Sequence, residues 1–158
     1  MAKTKVKVDI DFKKIEAIKD ACIRETLWTQ AQSVDAVAQR DKLIPIDTGT
    51  LRRSAVVTVN ELPNPDEVYR KAQTQRAMQE LAPKGERVRR VFLSYNTPYA
   101  ARMHENLKWK PRAWRRTAMG KVVSKPAEGG PKWVERALVL AKPKFASIAE
   151  RIFKKYFG

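Results

Sequence analysis

The sequence is poor in the side chains that usually build metal and redox sites. Its 158 residues include one cysteine, Cys22, and one histidine, His104. A single cysteine cannot form a disulfide within the chain, and one thiol with one imidazole falls short of the usual ligand set for zinc or iron. We therefore expect no cofactor and no metal.

A long apolar run is also lacking. No stretch approaches the roughly 18 consecutive apolar residues that a bilayer-spanning helix requires. The first residues, Met1 to Val6, are basic but lead into alternating charged and apolar side chains, unlike the apolar core of a signal peptide. These features predict a protein that makes no membrane contact and is not exported.

Acidic side chains are scarce relative to basic ones. The chain has 33 Lys and Arg against 17 Asp and Glu, which gives a formal net charge of +16. Such an excess favours nucleic acid or an acidic protein surface as a neighbour. The net charge indicates that the partner is negatively charged but does not identify it.

The spacing of apolar residues predicts two main helices. After Asp11, a capping residue, apolar side chains recur at three- and four-residue steps as far as Ala38, which predicts one helix over about 12–40. A helix of that length spans on the order of 40 Å, so we expect part of it to pack against a neighbouring subunit. The same spacing from Val134 to Ile152 predicts a C-terminal helix that is kinked at Pro143.

Alternating and β-branched residues predict short strands over residues 4–10, 55–59 and 88–95. Residues 99–106 fit either a short helix or a third strand. The fold class expected from these elements is α+β. A small, mainly antiparallel sheet is packed by the long N-terminal helix and the C-terminal helix.

Two segments stand apart within what we interpret as a single domain of residues 1–158. Asn64-Pro65 is typical of a capped helix start, and it opens a polar segment that runs to about Ala82. We interpret residues 62–86 as an insertion containing an exposed helix. Residues 107–130 hold two prolines and three glycines among many cations, which predicts an extended, partly mobile basic loop.

Tryptophan and cations are interleaved in this basic loop. Its candidate contact residues are Lys108, Trp109, Lys110, Arg112, Trp114, Arg115, Arg116 and Lys121. Such a composition fits a surface that contacts phosphates and stacks on bases, or one that docks aromatic side chains on a protein. A solvated loop whose tryptophans merely cover the core is less favoured, because exposed Trp usually marks an interface.

The string Asp47-Thr48-Gly49 is also a signature of aspartic proteases. Those enzymes need two carboxylates that share a proton, so a chain this short would have to dimerise. Here the string follows Pro45 and a long helix, and the guanidiniums of Arg52 and Arg53 would keep a nearby carboxylate ionised. We interpret it as a turn in which Asp47 accepts backbone hydrogen bonds and Gly49 allows the chain to reverse.

The pair His104-Glu105 resembles a general base with its orienting acid. Adjacent residues on a helix or strand point in different directions, however, and no pattern ties a serine or cysteine nucleophile to them. We interpret them as a packing or hydrogen-bonding pair. We therefore expect no catalytic residues and no enzymatic activity.

Three strings, taken in order, resemble the head-tail joining or tail-completion family of tailed bacteriophages, whose members are often filed as minor capsid proteins. The first is the turn with Pro45, Asp47, Thr48, Gly49, Leu51 and Ser54, the second is Tyr99-Ala100 with His104-Glu105, and the third is Trp133 with Ala137-Leu138. Each string alone is weakly specific. Their order matches the family pattern over nearly the whole chain.

The resemblance implies a structural virion protein. Copies of the chain would form a ring, a hexamer or dodecamer, in the neck that joins the DNA-filled head to the tail. The implied partners are portal or adaptor proteins, tail-terminator or tail-tube proteins, and double-stranded DNA in the lumen. The implied location is the virion neck, with the host cytoplasm during assembly. The alternative is a basic nucleic-acid-binding protein of the ribosome or nucleoid, which the charge and the basic loop alone favour.

Overall fold

A computed structural model of the chain describes residues 11–45, 49–76, 87–108, 110, 112–116, 122–126 and 129–158. The fold is α+β, as predicted. Its elements are α1 (Phe12–Arg40), α2 (Thr50–Arg53), β1 (Ala55–Val59), α3 (Pro65–Thr74), β2 (Val91–Tyr95), α4 (Ala100–Glu105), β3 (Arg112–Arg116), β4 (Val122–Pro126), α5 (Trp133–Ala141) and α6 (Phe145–Phe157). The strand predicted at residues 4–10 lies outside the described residues.

The long helix α1 has the bounds that the apolar spacing predicted. At its start, Oδ1 of Asp11 accepts a hydrogen bond from the backbone N–H of Lys14 at 3.1 Å, which satisfies one of the free donors of the first turn. Its 29 residues span about 43 Å. The second half supplies Val34 and Val37 to the core, whereas Phe12 at the start is 71% exposed.

The main core lies where the second half of α1 meets α5. Trp133 is 1% exposed, and Ala137 and Ala141 are fully buried, so small side chains let α5 lie close to α1. The Trp133 ring meets the ring of Tyr95 edge-on, with 6.0 Å between centroids. This contact brings β2 into the same core.

Strands β1 and β2 form an antiparallel pair in which Ala55 lies opposite Tyr95. Leu93 and Tyr95 pack against the main core, and the same face of β1 carries Ala55 and Val57. Val56 lies on the other face because side chains alternate along a strand, and there it packs against Val68 of α3. The sheet is therefore covered on both sides.

Helix α3 begins as predicted but is more than an exposed segment. Oδ1 of Asn64 accepts hydrogen bonds from the N–H groups of Asp66 and Glu67, and Pro65 occupies the first turn. Val68 and Ala72, four residues apart and so on one side of the helix, are buried. The expectation of a wholly exposed helix is wrong for that side. The helix ends at Thr74, and residues 77–86 lie outside the described part.

Two segments whose secondary structure the sequence left undecided or predicted as a loop, residues 99–106 and 107–130, contain regular structure. Residues 100–105 form a helix rather than a third strand. The expectation of a loop over 107–130 is wrong for β3 and β4, which pair as an antiparallel hairpin with Trp114 opposite Ser124. Valine and tryptophan favour strands, and the ladder satisfies backbone groups that a loop would leave to water. The prediction had given more weight to proline and glycine.

The interruption predicted at Pro143 is confirmed, as a break between two helices rather than a kink in one. A 3-10 turn over Lys142–Lys144 separates α5 from α6, because proline lacks the N–H that a continuous helix needs. Helix α6 then runs back along α1, where Nζ of Lys155 lies 2.8 Å from both carboxylate oxygens of Glu25. Within the described residues, none of the helices is both long and apolar enough to cross a membrane.

Candidate functional site

The turn motif forms a junction between α1 and α2. Gly49 has a φ of +79°, a conformation that residues with a side chain rarely adopt, and it directly precedes α2. Leu51 is 3% exposed and belongs to the main core, and Pro45 is buried. Asp47 and Thr48 lie outside the described residues. The described residues of the motif act in the fold.

Ser54 closes one end of the sheet. Its fully buried hydroxyl donates to the carbonyl of Leu51 at 2.8 Å and accepts a hydrogen bond from the N–H of Asn96 at 3.1 Å. The side-chain amide of Asn96 donates back to the Ser54 carbonyl at 3.2 Å. These bonds join the residue before β1 to the residue after β2.

Arg52 and Arg53 donate to backbone carbonyls. A guanidinium nitrogen of Arg52 lies 3.1 Å from the Ile44 carbonyl, and Nε of Arg53 lies 2.7 Å from the Ala72 carbonyl at the end of α3. The bond to Ala72 satisfies a carbonyl that the end of α3 leaves free. The expected contact with Asp47 falls outside the described residues.

The sequence analysis missed the role of Gly129, which follows the hairpin. Its φ is +92°, and a Cβ there would lie 2.6 Å from the Pro45 nitrogen and 2.7 Å from the Ile44 carbonyl carbon. The neighbouring Gly130 N–H donates to the Leu43 carbonyl at 3.2 Å. The chain that leaves the hairpin is thus held against the turn motif by a close backbone approach that only glycine permits.

The second family string builds α4. Tyr99 stands at the N-cap, and Ala100 is buried in the main core. His104 places its ring edge-on to Trp133, with 4.6 Å between centroids. The helix therefore carries His104 to the start of α5.

His104, Glu105, Lys132 and Glu135 form an ion-pair network, here called the α4–α5 clamp. Nδ1 of His104 lies 2.7 Å from Oε1 of Glu105, and Nε2 lies 2.6 Å from Oε2 of Glu135. Lys132 contacts Glu105 and lies 3.1 Å from Oε1 of Glu135. The backbone N–H of Val134 also lies 3.4 Å from Nε2 of His104, so the ring contacts the first turn of α5 through both its edge and its nitrogen.

The prediction that His104 and Glu105 form a hydrogen-bonding pair is confirmed, although adjacent side chains were expected to diverge. They meet at the last two positions of the short helix α4. The hydrogen bonds from Lys132 and then from His104 hold the pKa of Glu105 below its ordinary value. The hydrogen bonds that Lys132 donates to Glu105 and Glu135 raise the pKa of Lys132 above its ordinary value.

The imidazole and two carboxylates of the clamp are ligand types that divalent metals use, and their ligand atoms lie within 4.8 Å of one another. Lys132 already contacts both carboxylates, so a metal would have to displace its ammonium group. We assign the clamp to joining α4 and α5.

Asp35 is a buried charge that the sequence analysis missed, because it lies beside Val34 in the apolar stripe of α1. It is 2% exposed, and its carboxylate accepts hydrogen bonds from Gln39, Arg76 and Tyr95 at 2.7–2.9 Å. Burial and the Asp35 charge raise the pKa of Tyr95. With three donors on its two oxygens, Asp35 is placed as a structural anchor.

The basic hairpin, formed by β3 and β4, carries four of the eight predicted contact residues. Arg112, Trp114, Arg115 and Arg116 lie on β3, and Lys108 and Lys110 are exposed just before it. Trp109 and Lys121 lie outside the described residues. Among the described elements, β3 and β4 make their most extensive contacts with each other. The hairpin is thus a two-stranded ribbon whose main contacts, among the described elements, lie between its own strands.

No protein-family model, curated protein or solved structure matches this chain. The resemblance to phage head-tail joining proteins therefore rests on its three sequence strings, and the function has to be argued from the surfaces of the molecule.

Proposed function

We propose that the chain is a non-catalytic structural subunit of a tailed-bacteriophage neck, where copies of it form a ring that joins the head to the tail. The observation that carries the proposal is the exposed apolar surface at the start of α1. Phe12 is 71% exposed and Ile15 48%, and the first buried residue of α1 is Cys22. Exposed apolar side chains at the end of a long helix are typical of contact with a neighbouring subunit.

The roles of the family residues support the same proposal. Gly49 allows the turn, Leu51 and Ala100 fill the core, and Ser54 closes the sheet. None of these four contributes a reactive group to a cleft. Residues with these roles fix a shape, which is what an assembly subunit needs.

The charge of the basic hairpin fits a position near DNA, but a DNA channel places two opposing requirements on its cations. Cations around a DNA channel offset phosphate charge, yet tight contacts from every subunit would hold a duplex that must slide. Bases in an intact duplex are stacked and leave Trp114 no free face. Because Trp and Arg are common anchors at protein interfaces, we propose that the hairpin docks chiefly on an adjacent subunit or ring.

A gene deletion in the phage that encodes the chain tests the proposal. We expect lysates with DNA-filled heads and separate tails in electron micrographs, and restored virions when the gene is supplied in trans. Antibody against the purified protein should label the neck of intact virions. Intact, infectious particles from the deletion strain would refute the proposal.

One observation favours the second candidate, a nucleic-acid-binding protein. A two-stranded antiparallel ribbon fits the major groove of DNA, and β3 carries three arginines. That function predicts tight binding of the isolated protein to free duplex, falling steeply with salt concentration. A neck subunit should bind free duplex weakly before it assembles.

A further inference from the structure

A groove between α1 and α6 is lined almost entirely by apolar side chains. It has a volume of about 470 Å³, and its walls are Cys22, Ile23, Thr26, Leu27, Ala149, Glu150 and Phe153. Phe153 is 57% exposed, and its ring stacks on that of Phe157 at 4.7 Å, which extends the apolar wall. We call this surface the α1–α6 groove.

A second apolar surface lies on α5. Leu138, Val139 and Leu140 are 43%, 70% and 51% exposed, while Ala137 and Ala141 on the other side of the helix are fully buried. Three consecutive exposed aliphatic residues are unfavourable in a solitary domain unless they serve a contact. We call this surface the α5 ridge.

Both surfaces carry few charges in a chain with a net charge of +16. The residues that line the groove include one charged side chain, that of Glu150, and α5 holds one Arg and one Glu. An acidic protein or nucleic acid would be drawn to the more basic parts of the chain. Two copies of the chain can bring neutral apolar surfaces together without strong repulsion.

We propose that the α1–α6 groove of one copy receives the α5 ridge of a second copy. The inference deepens the proposed function and rests on it in one respect: a ring requires a head-to-tail contact between two different surfaces of each subunit. A groove and a ridge of matching polarity meet that requirement. Contact of a groove with a second groove would instead close a dimer.

A copy cannot fill its own groove with its own ridge. Val139 is two residues from both Ala137 and Ala141, hence about 160–200° away around the helix, so it points away from the core that those alanines enter. Helix α5 is held on α1 by that core. The ridge is thereby directed outward, to a second molecule.

Disulfide trapping tests the contact in the full chain. In a Cys22→Ser background, one protein carries Phe153→Cys in the groove and another carries Val139→Cys on the ridge. Mixed under mild oxidation, they should give severalfold more cross-linked dimer than Val139→Cys mixed with Arg70→Cys, which lies exposed on α3. A chain with both Phe153→Cys and Val139→Cys should give a ladder of oligomers. Circular dichroism checks that each variant is folded.

Two outcomes would overturn the inference. The first is a Phe153→Cys homodimer that forms as fast as the mixed dimer, which shows groove-to-groove pairing. The second is a mixed yield no higher than the Arg70→Cys control, which shows that the ridge of a second copy does not occupy the groove. Neither result decides the neck function, which the phage deletion experiment tests separately. Conversely, normal virions from the deletion strain would refute the neck function without refuting a contact that the disulfide has trapped.

Discussion

The hydroxyl of Tyr95 donates a hydrogen bond to Oδ1 of Asp35 across 2.9 Å, which links β2 to α1 from inside the molecule. Asp35 is 2% exposed, and Arg76 completes the site with an ion pair at 2.7 Å. A buried carboxylate is tolerated when its oxygens are hydrogen-bonded and its charge is paired. Asp35 therefore anchors α1, β2 and the chain that follows α3.

Tyr95→Phe should lower the free energy of unfolding by about 1–3 kcal/mol, because it leaves Oδ1 of a buried carboxylate without its donor. Urea denaturation measures the change. Tyr156→Phe is the matched control, since it removes a hydroxyl 2.9 Å from Glu25, whose side chain is 35% exposed and can bind water instead. Equal losses in the two variants would contradict the anchoring role of Asp35.

Alanine substitutions at three glycines should lower the free energy of unfolding by different amounts, in an order set by the backbone geometry at each glycine. Gly49→Ala should cost about 1–2 kcal/mol, because its φ is positive while the added Cβ meets only the flexible end of Arg53. Gly129→Ala should cost more, since its Cβ would clash with backbone atoms of Ile44 and Pro45. Gly130→Ala should be nearly neutral, as its Cβ would approach only Arg136, at 3.4 Å. Thermal or urea midpoints test the order, which a larger loss at Gly130 would refute.

The α4–α5 clamp should make stability depend on pH at both ends of the range. Because the folded pKa of Glu105 lies below its ordinary value of 4.5, its contribution is present above pH 4.5 and is lost as pH falls through the folded value. The pKa of Lys132 is raised above 10.5, so its contribution is present below that pH and is lost as pH rises through the folded value.

Glu105→Gln should therefore flatten the acid side of the stability profile, measured as the urea midpoint at a series of pH values. Glu61→Gln, at an exposed carboxylate outside the clamp, is the control and should leave that side as in the wild type. An unchanged acid side in Glu105→Gln would show that Glu105 does not contribute to the pH dependence.

Substitutions in the basic hairpin can test whether, in the proposed neck, it contacts a neighbouring protein or the DNA channel. Replacing Trp109 and Trp114 together by alanine should block joining while the subunit stays folded, because Trp133 is the tryptophan of the main core. Electron microscopy of lysates measures joining. If the double variant joins normally and only reversal of the hairpin charges fails, with DNA leaking or stalling, the hairpin faces the channel and the docking proposal is wrong.

Features that depend on neighbours in sequence could be predicted. The three- and four-residue spacing predicted the bounds of α1, the β-branched run predicted β1, and Pro143 predicted the break before α6. An element that buries one face carries apolar residues at regular spacing, and that spacing can be read from the sequence. A proline lacks the backbone N–H and so interrupts a helix at whatever position it occupies. The turn at Gly49 was predictable for the same local reason.

Features that depend on distant residues were decided by the tertiary structure. Asp35 meets partners 41 and 60 positions away, and Lys132 of the clamp meets Glu105 27 positions away. Gly129 is required because the backbone of Pro45 passes against it. The sequence by itself determined α1, the start of α3, the interrupted C-terminal helix, the strands β1 and β2 and the excess of positive charge, since each follows from local composition. Which charges are buried, and which apolar faces stay exposed, is settled only when the elements pack, because burial depends on neighbouring elements.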